Sequence, residues 1–329
     1  MVPSFLLTGG LSNGEWAIRL LGRHSENLST LQEVVLRDSD PEALHRLRVS
    51  LRRLRTTVQQ FSPALILPPA VRDPCLARSL RRLGKARDLD VLRKRLEHEL
   101  IPGLPETEQR HLKPLLRRLR RTRRAAGERL QERLRSRSHR ECITQLQEWI
   151  QQPRLTAFGS EPLQSWRHEW LLPTALQLAM HPGWWSQDPI KDAMTLHQLR
   201  RRIRQLRYEF ENLRNLHDRK LAARIDQLSS LQDLLGQLHD LEVLARMLDQ
   251  GSAKGPGEDL PTLRLTLNQH RDQLWSAWCN QSEPLRSRKA RTSQRQALNR
   301  IAERRGFLKM CSAIPGPVSS GLVANLCDH

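Results

Sequence analysis

Residues that favour strands are scarce in this chain. Aromatics make up 4 % of its 329 residues, with one Tyr and five Phe among them. No segment alternates apolar and polar side chains over the length of a strand, which excludes a sheet protein. Cysteine is sparse too. Cys75, Cys142, Cys279, Cys311 and Cys327 are odd in number and include no CxxC pair. That excludes a disulfide framework or a thiolate metal site and suits a reducing compartment. No apolar run approaches the length of a membrane span. The opening Val2-Pro3-Ser4-Phe5-Leu6-Leu7 is too short, and lacks the positive flank, for a secretory signal. The expected location is the cytoplasm.

Acids are in short supply as well. Against 35 Asp+Glu stand 55 Lys+Arg, for a net charge of +20. An excess of that size points to a polyanionic partner. Arginine is far commoner than lysine, and its planar, two-pronged guanidinium favours phosphate recognition.

Leucines at helical spacing fill nearly the whole length, so the fold class is all-α. Breaks at Pro, Gly and Ser clusters place helices near 13–37, 41–61, 73–101 and 106–137, then near 161–180, 190–215, 219–249 and 258–282. Four helices per half predict two antiparallel four-helix bundles related by an internal pseudo-twofold, one over about 13–150 and one over about 160–285. The segment 286–329 reads as a basic helical extension followed by a flexible C-terminal tail.

The halves repeat each other. Leu44 to Arg55 returns as Leu196 to Arg207, and Leu83 to Leu92 returns as Leu235 to Leu244, both at an offset of 152 residues (His45 to His197, Gly84 to Gly236). Two blocks at one offset mark a duplicated unit. On a helix, Leu44, Leu47, Leu51 and Leu54 form an apolar seam. His45, Arg48, Arg52 and Arg55 form a second stripe rotated by about 110° from it. The other copy gives Leu196, Leu199, Ile203 and Leu206 beside His197, Arg200, Arg204 and Arg207. Arg46 and Arg53 fall on the outward side, where the second copy has Gln198 and Gln205.

A row of like charges along one face is locally unfavourable. Asp88 and Asp240, at equivalent places on later helices, are natural orienting partners for one arginine each. Two acids cannot neutralise six arginines, so the remainder suit a ligand with many negative oxygens. No second His or acid lies at ligand spacing from His45 or His197, so neither a metal nor another cofactor is expected. Gly84 and Gly236 read as allowing close helix packing. Trp149, Trp166, Trp170, Trp275 and Trp278 read as core, and Trp184-Trp185 as a loop away from the stripes.

At these residues the chain resembles the CHAD family, the conserved histidine α-helical domains. The resemblance is carried by the His-x-x-Arg-x-x-x-Arg-Arg-Leu-Arg run from His45 to Arg55, which brings Arg53 among the candidates. The Leu-Gly-x-x-Arg-Asp-Leu-Asp-Val run from Leu83 to Val91 supports it, as does His197 to Glu211 with its Leu-Arg-Tyr-x-x-Glu. It covers about residues 13–285. It implies two four-helix bundles around a basic central channel, and binding of inorganic polyphosphate, often at polyphosphate granules. It also implies a triphosphate tunnel domain, to which members of the family are frequently fused or of which they are neighbours. That domain's Glu-x-Glu-x-Lys signature is absent here, so a polyphosphate-metabolising partner would be a separate chain.

The expected function is non-catalytic polyphosphate binding. Arg48, Arg52, Arg55, Arg200, Arg204 and Arg207 would grip phosphoryl oxygens, His45 and His197 would add hydrogen bonds, and Lys85 and Arg87 would extend the track. Lys85 and Arg87 become Gln237 and His239 in the second copy, so the first half is expected to contribute more. The alternative is an RNA or single-stranded DNA binder. It is disfavoured because Tyr208 is the sole aromatic inside the stripe blocks, where base stacking needs several. An enzyme is disfavoured because Asp88 and Asp90, like Asp240 and Glu242, point nearly oppositely on a helix and cannot share one ion.

Overall fold

The computed structural model describes residues 10–37, 41–214, 219–249 and 260–287. It holds two compact units, Met1–Cys279 and Asn280–His329, the second described only as far as Ser287. The predicted tail therefore lies outside the described residues.

Ten α-helices follow one another among these residues. They are α1 (Asn13–Leu36), α2 (Pro41–Phe61), α3 (Asp73–Lys94), α4 (Glu106–Arg135), α5 (Arg137–Gln151), α6 (Leu163–Trp166), α7 (Leu172–Ala179), α8 (Ala193–Asn212), α9 (Arg219–Asp249) and α10 (Pro261–Arg286). No strand occurs among the described residues, only the isolated bridges Ser12 to Pro162 and Leu65 to Leu155.

Helix boundaries follow local chemistry. Ser12 accepts from the Glu15 amide at 3.2 Å while the Glu15 carboxylate accepts from the Ser12 amide at 2.8 Å, a capping box that starts α1. The Glu108 carboxylate, on α4, accepts from the Thr262 and Leu263 amides at 2.9 Å each, closing the N-terminus of α10 from another helix. Both apolar seams are buried, with Leu44, Leu47, Leu51 and Leu54 of α2 at most 3 % exposed. Each such leucine contributes roughly 1.5–3 kcal/mol by leaving water.

Three segments differ from the sequence expectation. The helix expected over 161–180 is broken into α6 and α7, because Pro173 has no amide to donate and starts a new helix. The helix expected to reach 137 ends at Arg135. Ser136 turns to an extended conformation there, and α5 follows as an extra helix in the first half. The helix expected over 73–101 runs as α3 to Lys94, then as a π-turn over Arg95–Leu100 and a 3-10 turn over Ile101–Gly103.

Apolar packing crosses the repeat. One cluster joins α1, α2, α3 and α5 with Leu163, Trp170, Leu171 and Leu213. The other joins Leu92, Leu96, Leu112 and Leu119 with Leu241, Leu244, Leu248, Leu263 and Leu267. Trp149, Trp170 and Trp278 are buried, as is Trp184, which stacks on Trp278 with ring centroids 5.7 Å apart.

Candidate anion-binding site

The two stripe helices, α2 and α8, pack against each other. Their C-terminal ends are tied by a buried polar knot. Asn212 donates to Gln60 at 2.8 Å and to Thr57 at 3.1 Å, and the Trp16 indole donates to the Asn212 carbonyl at 2.9 Å. With those ends fixed, the stripes bracket a cavity of about 510 Å³. Arg52, Arg55, Thr56 and Gln59 of α2 line it, as do Gln198, Arg201, Arg202, Arg204, Gln205 and Tyr208 of α8. Leu80 of α3 and His181 add to the wall, and no acid is among the described lining residues.

Arg52 and Arg204 are the same position in the two repeats, and so are Thr56 and Tyr208. Each pair contributes both members to this one cavity. Burial, together with the charges of Arg52, Arg200 and Arg201, pushes the Arg204 pKa down to about 9. Burial lowers Arg48 to about 10, and lowers Arg200 as well, while Asp240 partly offsets the effect on Arg200. Among the described residues no carboxylate lies within ion-pair distance of Arg52, Arg200 or Arg204. A desolvated cluster of like charges is costly until an anion enters it.

The other stripe members sit differently. Arg55 is clamped by Asp73 at 2.5 and 3.2 Å, and Arg207 by Glu211 at 2.5 Å. Arg53 also reaches Glu211, at 3.0 Å, so one carboxylate serves two guanidinium groups. Arg53 and Arg207 lie over the Tyr208 ring, 5.5 and 4.6 Å from its centroid, at cation–π distance. Arg48 is 9 % exposed and donates to the Leu83 carbonyl at 3.1 Å and to Asp88 at 3.5 Å. The expected Asp88 partnership is therefore present. Among the described residues no ion pair joins Arg200 to Asp240, although Asp240 acts on Arg200 electrostatically; burial raises the pKa of the Asp240 carboxyl.

The two glycines have a sharper role than helix packing. A Cβ on Gly84 would meet Arg48 Nη1 at 3.2 Å, and one on Gly236 would meet Arg200 Nη2 at 2.8 Å. Each glycine makes room for the equivalent arginine of its own half.

Neither histidine lines the central cavity. The His197 ring lies against His239 with centroids 4.3 Å apart, and burial with His239 and nearby arginines pushes it down to about 4. His45 is lowered by burial and by Arg87. Arg87 stands 3.8 Å from Glu42, and Lys85 is exposed on α3.

Arg46, Arg53 and Gln198 are exposed, as expected of an outward face, but this face also forms cavity walls. Arg46 and Arg53 line a second cavity of about 400 Å³ together with Val49 and Ser50, while Gln198, Arg201, Arg202 and Gln205, at the same repeat positions, line the first. Neighbouring elements flank both faces: α1 packs along α2, and α7 and the Pro182–Trp185 turn pack along α8. That turn was expected to lie away from the stripes, yet Gly183 abuts Leu199 and His181 enters the cavity wall. Arg201, Arg202 and His181 are the site residues that stripe geometry missed. For the two arginines the signal in the sequence is the unbroken Arg200-Arg201-Arg202 run.

The acids weighed for catalysis are engaged elsewhere. Asp90, 5 % exposed, is held by Arg123 at 2.9 and 3.4 Å, and Glu242 accepts from Arg246 at 2.6 Å. No group of three or more His, Cys, Asp or Glu placed to hold a metal ion occurs among the described residues. No described helix is long and apolar enough to cross a membrane.

Comparison with known proteins agrees with this architecture. A family model described as CHAD domain matches residues 19–249. The crystal structure of the CHAD domain from the plant Ricinus communis superposes with a TM-score of 0.59 at 23 % identity, covering 84 % of this chain and 93 % of that one. PptA from Streptomyces chartreusis superposes with a TM-score of 0.61 at 18 % identity, covering 83 % and 99 %. No curated protein matches significantly.

Proposed function

The chain belongs to the CHAD domain family, and on that premise we propose that it binds inorganic polyphosphate, without turning it over, in the cavity between α2 and α8. The observation that carries this reading is the set of half-buried guanidinium groups of Arg52, Arg200 and Arg204, which have no carboxylate at ion-pair distance among the described residues; Arg52 and Arg204 line the cavity, and none of its described lining residues is an acid. A linear polymer with about one charge per phosphate supplies compensating charge at every step. Arg201, Arg202 and His181 extend the binding surface along the wall of α8. Arg55, already paired with Asp73, shapes the wall of the site, whereas Arg207, paired with Glu211, is not among its described lining residues. In this reading α8 supplies three of the lining arginines, Arg201, Arg202 and Arg204, and α2 supplies Arg52 and Arg55.

Counterion release would supply much of the affinity, so binding should weaken steeply with salt. Nucleic acid fits this cavity poorly. Base stacking needs an open aromatic face, and Tyr208 is 3 % exposed with two guanidinium groups over its ring. The test is competition between polyphosphate and a single-stranded oligonucleotide of matched charge. Polyphosphate should displace the oligonucleotide at the lower concentration, and the reverse order defeats the assignment. Residence at polyphosphate granules and recruitment of a separate polyphosphate-metabolising enzyme are corollaries of the same proposal.

A further inference from the structure

The second cavity lies between α1 and α2, with its end formed by Glu211 and Asn212 of α8. It is the repeat-related counterpart of the first, since Arg46, Val49, Ser50 and Arg53 stand where Gln198, Arg201, Arg202 and Gln205 stand in the other copy. The two have diverged in kind. Where the first presents Arg201 and Arg202, the second presents Val49 and Ser50. Where the first presents Gln59, the second presents Glu211. Leu20 and Leu31 add apolar wall. A bare polyanion gains nothing from leucines and is repelled by a carboxylate.

Two polar atoms in this wall have no hydrogen-bond partner among the described residues. His24 is 8 % exposed with Nε2 buried and unbonded, and Ser50 is 7 % exposed with Oγ in the same condition. Buried polar atoms without partners are rare and call for an explanation. Both residues line the cavity, where a ligand would supply what the chain does not. Burial and the charges of Arg53 and Arg23 hold His24 neutral, down to about 4, so it can accept or donate one hydrogen bond. Arg23 and Arg46 are exposed, and the polar and apolar groups of Leu20, Ser50 and Asn212 lie deeper.

We infer that this second cavity is a site for a small phosphorylated molecule with an uncharged, partly apolar body, of about the size of a mononucleotide. The basic residues Arg23 and Arg46 hold the phosphate. Leu20, Leu31 and Val49 cover the body, and His24 Nε2 and Ser50 Oγ meet its polar atoms. A volume of about 400 Å³ lies within the range of small-molecule pockets, roughly 300–1,000 Å³. The ligand would also touch Arg53, whose carboxylate partner Glu211 is shared with Arg207 beside the first cavity. The inference is independent of the polymer reading, because it concerns a different cavity and a different ligand.

The test is calorimetric titration of the full chain with ADP, pyrophosphate and adenosine, beside a parallel titration with long-chain polyphosphate. ADP should bind once per chain, at least tenfold more tightly than either pyrophosphate or adenosine. Arg23→Glu, at an exposed position, should weaken ADP at least tenfold and leave polyphosphate within twofold, and Arg204→Glu should do the opposite. Ser50→Ala should weaken ADP while keeping or raising the melting temperature, since it removes a buried hydroxyl that the fold leaves unbonded. Absence of saturable ADP binding up to millimolar concentration overturns the inference whatever polyphosphate does. So does pyrophosphate binding as tightly as ADP, or failure of Arg23→Glu to bind polyphosphate, which would make the cavity part of the polymer track.

Discussion

Arg52 of α2 and Arg204 of α8 hold the same position in the two repeats, line one cavity together, and have no carboxylate at ion-pair distance among the described residues. Duplication has thereby brought a residue up to its own counterpart. Burial and like charge at this point cost stability, and the cost falls when an anion enters.

Removing one of these charges should separate binding from stability. Arg52→Met and Arg204→Met keep most of the aliphatic stem and delete the charge. Polyphosphate affinity should fall at least tenfold in each. The melting temperature should hold or rise, because the Arg204 guanidinium is disfavoured by burial and by Arg52, Arg200 and Arg201. The slope of log affinity against log salt should shrink by about 0.7–0.9 for each phosphate the variant no longer neutralises. Titrations at three salt concentrations and a thermal melt check all of this.

Gly84→Ala and Gly236→Ala act through the arginines they shelter. Alanine favours a helix interior over glycine by about 1 kcal/mol, so the melts should change little. The new methyl would press on Arg200 Nη2 from 2.8 Å and on Arg48 Nη1 from 3.2 Å. A guanidinium is the far end of a flexible side chain and will move. Polyphosphate binding should weaken severalfold, more for Gly236→Ala than for Gly84→Ala. Unchanged affinity in both would show that the positions of Arg48 and Arg200 do not matter to the ligand.

Glu108→Ala serves as the structural counterpart. Glu108 is 4 % exposed and bonds the Thr262 and Leu263 amides at the start of α10. Its removal should cost about 1–2 kcal/mol of stability, as deletion of a helix cap does. Polyphosphate affinity at 25 °C should not change. Denaturant titration and calorimetry measure the two quantities separately.

Stability should respond to pH in two opposed ways. Burial holds His24 and His139 down to about 4 in the fold, against an ordinary 6.5. Below pH 6.5 the unfolded chain takes up protons that the folded chain refuses, so this contribution erodes as pH falls toward 4. Burial raises Glu209 to about 7 from 4.5. There the folded chain keeps a proton that the unfolded chain releases, so stability declines as pH rises from 4.5 to 7. Glu209→Gln keeps the acceptor that Thr174 and Gln205 use. Its stability relative to the parent should rise between pH 4.5 and 7 and stay level above. Urea denaturation from pH 4 to 8.5 gives both slopes.

The sequence carried the helices, the repeat and the apolar seams because these obey local periodicity, and Leu44 to Leu54 and Leu196 to Leu206 are buried as spaced. It also carried Arg52 and Arg204, since duplicated charge on a covered face is legible as a pattern. Three things were not legible. Asp73 pairs with Arg55 from the start of another helix, 18 residues away, with no local signal. Glu211 lies four residues from Arg207, the spacing of a helical ion pair, but periodicity cannot say that Arg53 of α2 shares it. A single helix also cannot reveal which of its faces another helix will cover. For that reason Arg46, Arg53, Gln198 and Gln205, outward on a helical projection, line cavities in the fold.

A structure of the protein with a polyphosphate of defined length tests the central claim most directly. Phosphoryl oxygens should lie within hydrogen-bond reach of both Arg52 and Arg204, with the chain continuing along Arg201 and Arg202. A polymer lying on the exposed arginines of α4, with no phosphate between α2 and α8, would contradict the account.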